Sequence, residues 1–93
     1  MKTGTDLQTI PYVGPRTSEA LESLGYACVE DLVGQDPAEM YRRLAVGEDY
    51  LDRCVLYVFR SAVYYAETPD PDPELLDWWK WKGVVHRNEA PAA

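Results

Sequence analysis

Side chains that bind metals are scarce in this chain, which has one His and two Cys among 93 residues. A structural zinc site takes four Cys or His ligands, so this composition argues against one. His86 has no candidate nucleophile near it in the sequence, which also lacks a Ser-His-Asp arrangement and a Walker loop. The acidic residues at 67–77 alternate with prolines and lack the central Gly of a calcium loop. We therefore expect no catalytic residue, metal or cofactor.

Positive charge is also scarce. Nine Lys and Arg stand against 16 Asp and Glu, which gives a formal charge of -7 and a pI near 4.5. A protein that coats nucleic acid without specificity neutralises many phosphates with Lys and Arg. This chain has too few basic residues for that role, so any contact with DNA must be a small local site on an acidic surface.

No apolar run reaches the length of a signal-peptide core or the roughly 20 residues of a membrane span. We therefore expect a cytoplasmic protein without a membrane contact. In that compartment Cys28 and Cys54 are expected to be reduced, buried thiols, with a disulfide or a reactive thiol as the alternatives. The hydrophobic fraction of 46% and the aromatic fraction of 12% argue against disorder, and the length suits one small domain.

Alternating strand patterns are absent as well, whereas helical spacing and helix boundaries are frequent. Pro15 suits the first turn of a helix that ends at Gly25, a residue typical of a left-handed C-terminal cap. Asp36 suits the N-cap of a later helix. The sequence predicts an all-α fold, a compact single-domain bundle of about five to six helices over residues 1–82, followed by a flexible C-terminal tail at 83–93.

The longest predicted helix spans residues 50–66 without Gly or Pro and is apolar on most of its surface, as expected for the central helix of the core. On one face of it, basic and aromatic side chains recur at i, i+4, i+7 and i+11: Arg53, Tyr57, Arg60 and Tyr64. This face either flanks a DNA strand or packs within the protein.

A proline-rich linker at 68–73 precedes a last short helix with three Trp residues, Trp78, Trp79 and Trp81. Side chains so close together on one helical turn cannot all point in one direction. One or two rings are expected to cover the core and one to be partly exposed. The exposed ring would stack on a base or contact a protein partner.

The segment between the first two predicted helices has the features of a phosphate site. A helix N-terminus offers unpaired N–H groups and the positive end of the helix dipole, and a Gly there lets the backbone approach a phosphate closely. Gly14 lies at the N-cap, and Arg16 and Thr17 lie in the first turn, from which both side chains can reach an anion. Val13 is expected to anchor the turn in the core.

Residues 6–24 carry a recognisable pattern: Leu7, Ile10, Pro11, Val13, Gly14, Thr17, Ala20 and Leu21. This pattern resembles the helix-hairpin-helix motif, with a SAM-like arrangement, of DNA repair and recombination proteins. Further features lie along the chain: Leu24-Gly25-Tyr26, Glu30-Asp31-Leu32, Asp36-Pro37-Ala38-Glu39, residues 52–60, residues 62–66 and Trp78-Trp79-Lys80-Trp81. With them, almost the whole sequence is similar to a small bacterial helix-hairpin-helix family labelled pathogenicity locus, in which some members are labelled mitomycin-resistance proteins. The first half also resembles the C-terminal domain of TfoX-type competence regulators.

The resemblance implies a non-enzymatic module that binds DNA through the sugar-phosphate backbone, in the minor groove and without reading sequence. Carried over by position, the contacts are the amides of Val13, Gly14 and Arg16, together with the side chains of Arg16 and Thr17. The label of the family suggests a link to DNA repair or recombination.

Tyr12 is a departure from the motif, because DNA-binding hairpins usually have Gly at this position. Its ring narrows the approach to the hairpin or lies against a sugar. Arg53 and Arg60 are candidates for a second DNA contact. The alternative function is a protein-interaction module, in which the acidic surface and the Trp-rich segment at 78–81 bind a partner or a second copy of the chain.

Overall fold

Three α-helices form the frame of the protein: α1 (Pro15–Ser23), α2 (Pro37–Ala45) and α3 (Arg53–Glu67). The computed structural model describes residues 6–46 and 51–89, and no β-strand occurs in these ranges. None of the helices in these ranges is long and apolar enough to cross a membrane. The all-α prediction and the single globule are confirmed.

Four further segments are 3-10 turns of four residues each: Asp6–Thr9, Val29–Leu32, Pro73–Leu76 and Trp78–Trp81. The prediction of five to six helices is therefore wrong. Each of these segments contains a Pro or is followed by Pro or Gly within two residues, which leaves too little chain for successive α-helical hydrogen bonds. The element before the hairpin is one of these turns, so two α-helices do not flank the hairpin in this structure.

α1 ends as its sequence predicts. Gly25 has φ +103°, and its amide donates to the carbonyl of Glu22 over 2.9 Å. The amide of Tyr26 donates to the carbonyl of Leu21 over 3.0 Å. This pair of bonds is a Schellman cap, which requires a left-handed residue at the position of Gly25.

α2 and α3 both begin at aspartate caps. The Asp36 side chain accepts from the amides of Ala38 and Glu39, at 2.9 and 3.1 Å. The Asp52 side chain accepts from the amide of Cys54 over 2.9 Å. The cap explains why α3 begins at Arg53 rather than earlier; the predicted start at position 50 lies outside the described residues.

α3 is the central helix of the core, as predicted. Its side chains at Phe59, Ala62 and Val63 are fully buried. They belong to a cluster with residues from α1, α2, the first two 3-10 turns and the segments that connect these elements: Leu7, Ile10, Val13, Leu21, Tyr26, Leu32 and Met40. Burial of this cluster fixes the hairpin against the frame of the protein.

The opposite face of α3 packs against the turn at Trp78–Trp81, hereafter the Trp turn. Arg60 donates to the carbonyl of Trp81 over 3.0 Å and makes two bonds to the Glu89 carboxylate, at 2.6 and 3.1 Å. The ring of Tyr64 lies 5.6 Å from that of Trp81. Of the two alternatives for this face, packing within the protein accounts for Arg60 and Tyr64.

Two residues that composition assigned to the C-terminal tail lie in the interior. His86 is 4% exposed and stacks on Trp81, with ring centroids 5.7 Å apart. The Glu89 side chain is 6% exposed in its ion pair with Arg60. Residues 90–93 of the predicted tail lie outside the described part of the chain.

Burial lowers the pKa of His86, even though the carboxylates of Glu67, Glu89 and Asp36 act in the opposite sense. The Arg87 guanidinium adds to the lowering of this pKa. The Nδ1 atom of His86 accepts from the amide of Asn88 over 3.0 Å, which requires an unprotonated Nδ1. The folded protein therefore favours the neutral imidazole.

We expect Gly25→Ala to lower the free energy of unfolding by about 1 kcal/mol, because Ala is strained in the left-handed region. For a domain of this size, that corresponds to a decrease in Tm of roughly 4–8 °C. Gly25→Asn is the matched control, since Asn tolerates the left-handed region far better than Ala does. Thermal unfolding followed by circular dichroism measures both, and equal losses of Tm would contradict this account of Gly25.

The free energy of unfolding is expected to fall between about pH 7.5 and about pH 5.5. The unfolded His86 binds a proton near its ordinary pKa of 6.5, whereas the folded form, with its lowered pKa, does not. Acidification through this window therefore favours the unfolded state. Urea denaturation at several pH values measures the slope, which His86→Gln should flatten; an unchanged slope would show that another group causes it.

Candidate nucleic-acid interface

The hairpin (residues 11–17) is a tight turn that is held in the core by Val13 and by the preceding residue, Ile10. Ile10 and Val13 are 1% and 5% exposed, which confirms Val13 as an anchor in the core. The Val13 amide donates to the carbonyl of Ile10 over 3.1 Å. That amide already has an acceptor within the turn, with which a phosphate would compete, and the expected contact from the Val13 N–H stays a prediction.

Gly14 is required neither by its backbone conformation nor by packing. Its φ of -96° and ψ of -168° are extended values that any residue adopts. A Cβ built on Gly14 would meet no atom within 4 Å, so the space in front of this backbone is open. What Gly provides here is room for another molecule to approach the main chain closely.

The amides behind this open space have no helical acceptor. Gly14, Arg16 and Thr17 hold the N-cap, second and third positions of α1, where N–H groups have no carbonyl four residues earlier in the helix. α1 has no side-chain cap and no acidic residue in its first turn. The start of a nine-residue helix therefore presents N–H groups without a helical acceptor and the positive end of its dipole, an arrangement that suits an anion.

Arg16 and Thr17 border a cavity of about 360 Å³ between α1 and the other helices. Its remaining lining is apolar and comes from α1, α2, α3 and the residue before the α3 cap: Ala20, Leu44, Leu51, Val55 and Phe59. Arg16 is exposed, and it forms no ion pair with the described part of the chain. Its guanidinium is available to a ligand at the mouth of the cavity.

Tyr12 has φ +68°, in the left-handed region that Gly adopts without strain. A bulky residue there costs about 1–2 kcal/mol. Two contacts oppose this strain: the Tyr12 hydroxyl donates to Asp77 Oδ1 over 3.3 Å, and its ring lies edge to face with Trp79, 5.4 Å between centroids. Partial burial, and then the Asp77 carboxylate, raise the pKa of Tyr12, which keeps the donating proton in place.

The two arginines predicted to make a second contact differ in their surroundings. Arg53 is exposed at the start of α3, and it forms no ion pair among residues 6–46 and 51–89. Arg60 is 7% exposed, with its guanidinium bonded to Glu89 and the Trp81 carbonyl. Because its guanidinium is bonded in the interior, Arg60 is not available to DNA as Arg53 is.

Lys82 is an exposed basic residue near the start of α3 that the sequence did not single out as a DNA contact. It also has no ion-pair partner in the described ranges, and its charge acts on the thiol of Cys54. Position 82 follows the Trp residues in the sequence, but only the packing of the Trp turn on α3 brings it near position 54. No local sequence signal marks this proximity.

The hairpin, α3 and the Trp turn are all included in a match between residues 1–86 and the family model described as "Pathogenicity locus". The chain belongs to the pathogenicity locus family. It is 33% identical over 79 residues to the mitomycin resistance protein McrB of Streptomyces lavendulae, an alignment that covers 84% of this chain and 71% of that protein. No solved structure matches. The predicted family is confirmed, and the similarity to TfoX-type regulators stays a prediction.

In this member of the pathogenicity locus family, both cysteines are free and half-buried. The hydrogen bond with Asp52, followed by burial, raises the pKa of Cys54, which disfavours a reactive thiolate. The described residues contain no group of three or more His, Cys, Asp and Glu that could hold a metal ion.

We expect Glu89→Ala to lower the free energy of unfolding by roughly 3–5 kcal/mol, because it leaves the Arg60 charge buried without a negatively charged partner. The two side chains of this pair are only 9% and 6% exposed. Glu39→Ala is the control, since it breaks the pair with Arg42, whose side chains are 63% and 52% exposed. That loss should stay below about 1 kcal/mol. Urea denaturation measures both, and similar losses would contradict the structural role of Arg60.

Proposed function

We propose that this chain is a non-enzymatic DNA-binding module that holds a phosphate of the sugar-phosphate backbone at its hairpin, without reading sequence. The observation that carries the proposal is Gly14, an unstrained glycine at a helix N-cap with open space where its side chain would be. Glycine at such a position admits the backbone of a ligand, and the amides behind it, which have no helical acceptor, suit phosphate oxygens.

The proposed contacts are the amides of Gly14, Arg16 and Thr17 and the side chains of Arg16 and Thr17. The helix-hairpin-helix interpretation enters here as a proposal: a 3-10 turn replaces the first helix, and the hairpin keeps the function of the motif. Arg53 and Lys82 would add long-range attraction near the start of α3, since neither is paired with an acidic residue in the described part of the chain.

Net charge limits the strength of this interaction. Most of the other basic side chains are engaged: Arg42 with Glu39, Arg60 with Glu89, Lys80 with Glu74 and Arg87 with Glu67. With few free cations on a chain of charge -7, we propose contact with about two phosphates rather than with a long stretch of duplex. Binding of this kind is weak and local.

The Streptomyces lavendulae relative is named for resistance to mitomycin. For the present chain we propose a role of the same kind, exerted in the cytoplasm through DNA during repair or recombination. A module that binds the DNA backbone at one point needs no catalytic residue of its own, because it can position a DNA structure for other proteins.

We expect Arg16→Ala to weaken binding to labelled DNA roughly tenfold at about 50 mM salt, through loss of the charge-assisted contact at the hairpin. Wild-type affinity should itself fall roughly tenfold between about 50 and about 200 mM salt, as contact with two phosphates implies. Fluorescence anisotropy measures both effects. Gly14→Ala should weaken binding similarly, because its Cβ enters the open space.

Arg42→Ala is the charge-matched control, since Arg42 lies on α2 and is paired with Glu39. It should leave DNA affinity within about twofold. The assignment of the hairpin fails if Arg16→Ala and Gly14→Ala both fold and bind DNA as the wild type does.

Exposed apolar side chains near the Trp turn support a second candidate, the protein-interaction module. Trp79, Val84 and Val85 are 45%, 46% and 65% exposed. These three residues lie close together in the sequence, after the acidic residues at 67–77. An interface of this composition would be nearly indifferent to salt, whereas phosphate contacts weaken steeply with it.

A further inference from the structure

Tyr12 and Trp79, hereafter the aromatic pair, form an exposed edge beside the hairpin. They are 53% and 45% exposed, and their rings meet edge to face at 71°. The Trp78 ring also contacts Trp79 edge to face, with 5.6 Å between centroids. Two large rings are thus held in fixed orientation while about half of each remains open to solvent.

The backbone at Tyr12 indicates that this exposure has a purpose other than packing. A Gly at position 12 would adopt φ +68° without strain, yet the chain has a bulky side chain there. Burial in the core does not offset this strain, since Tyr12 is 53% exposed. Strained backbone of this kind is characteristic of functional sites.

The aromatic pair lies next to the proposed phosphate site. Tyr12 is two residues from Gly14, so their Cα atoms are at most about 7.6 Å apart. A nucleotide whose phosphate rests on the amides of Gly14 and Arg16 would bring its own base, or the next one, within reach of the Tyr12 ring.

We propose that an unpaired nucleobase stacks on one ring of the aromatic pair while the other ring holds that ring in place, so that the protein prefers a DNA flap or single strand to an intact duplex. This inference rests on the proposed function, because the hairpin must hold the adjoining phosphate. Bases within a duplex are already stacked on both faces, whereas a base at a flap offers a free face to an aromatic side chain.

The charge around the pair favours a base over a phosphate. The Asp77 carboxylate accepts a hydrogen bond from the Tyr12 hydroxyl and places negative charge at the tip of that ring. This negative charge repels any sugar-phosphate strand that crosses the pair. The second strand of an intact duplex would cross it in this way. A neutral base beside the pair does not meet this repulsion.

The test compares the affinities for an intact duplex and for the same duplex with a short single-stranded flap, by anisotropy at about 50 mM salt. The wild type should prefer the flap roughly tenfold, as expected for one stacked base. Tyr12→Gly and Trp79→Ala should each bring this ratio close to one, through a loss of flap affinity. Tyr12→Gly relieves backbone strain and loses the contacts with Asp77 and Trp79, so its Tm is expected to change. A helical circular-dichroism spectrum with a cooperative thermal transition verifies the fold of each variant.

Two matched variants separate this inference from the proposed function. Tyr12→Phe keeps the ring and should keep the preference, although it loses the bond to Asp77. Arg16→Ala should weaken binding to both DNAs and leave their ratio unchanged.

An equal affinity of the wild type for both DNAs, or an unchanged ratio in Tyr12→Gly and Trp79→Ala, overturns the inference. The proposed function survives that result if Arg16→Ala still weakens duplex binding. A wild type that binds neither DNA overturns both the inference and the proposed function. If Tyr12→Gly keeps the ratio of flap to duplex affinity and Trp79→Ala loses it, Tyr12 is not part of the stacking site.

Discussion

Only five residues, 10–14, connect the first 3-10 turn to α1, and this short connection has position 12 in left-handed backbone. Because the residue there is Tyr, the turn needs support, which comes from Asp77 and Trp79 at the other end of the chain. The Trp turn is held in its own place by Trp81, whose carbonyl and ring contact Arg60 and Tyr64 of α3. The geometry of the hairpin therefore depends on the packing of the C-terminal segment on the central helix.

Local signals predicted the parts of the fold that local chemistry determines. Gly25 and Asp36 are cap residues whose roles follow from backbone conformation and hydrogen bonding within a few positions, and both are found where the sequence placed them. Helix number was overestimated because apolar spacing over four or five residues does not distinguish a 3-10 turn from an α-helical one. In such short segments the neighbouring Pro and Gly decide the outcome.

Local sequence signals could not predict contacts between residues that are far apart in the chain. Arg60 and Glu89 are 29 residues apart, and nothing near either residue marks the other as its partner. The same applies to Tyr12 and Asp77, 65 residues apart, and to the burial of His86. For the candidate site, the sequence identified Gly14, Arg16 and Thr17 from helix-start chemistry. It could not show that the Val13 amide is already bonded within the turn.

The proposed function reconciles an acidic chain with DNA binding by making the backbone, rather than basic side chains, the main donor. A 15N NMR titration with a short duplex at about 50 mM salt tests this claim most directly, because it reports on each amide separately. The account predicts that the amide signals of Gly14, Arg16 and Thr17 shift first and that the shifts shrink at about 200 mM salt. Shifts confined to Val84 and Val85, or none at all, would contradict it.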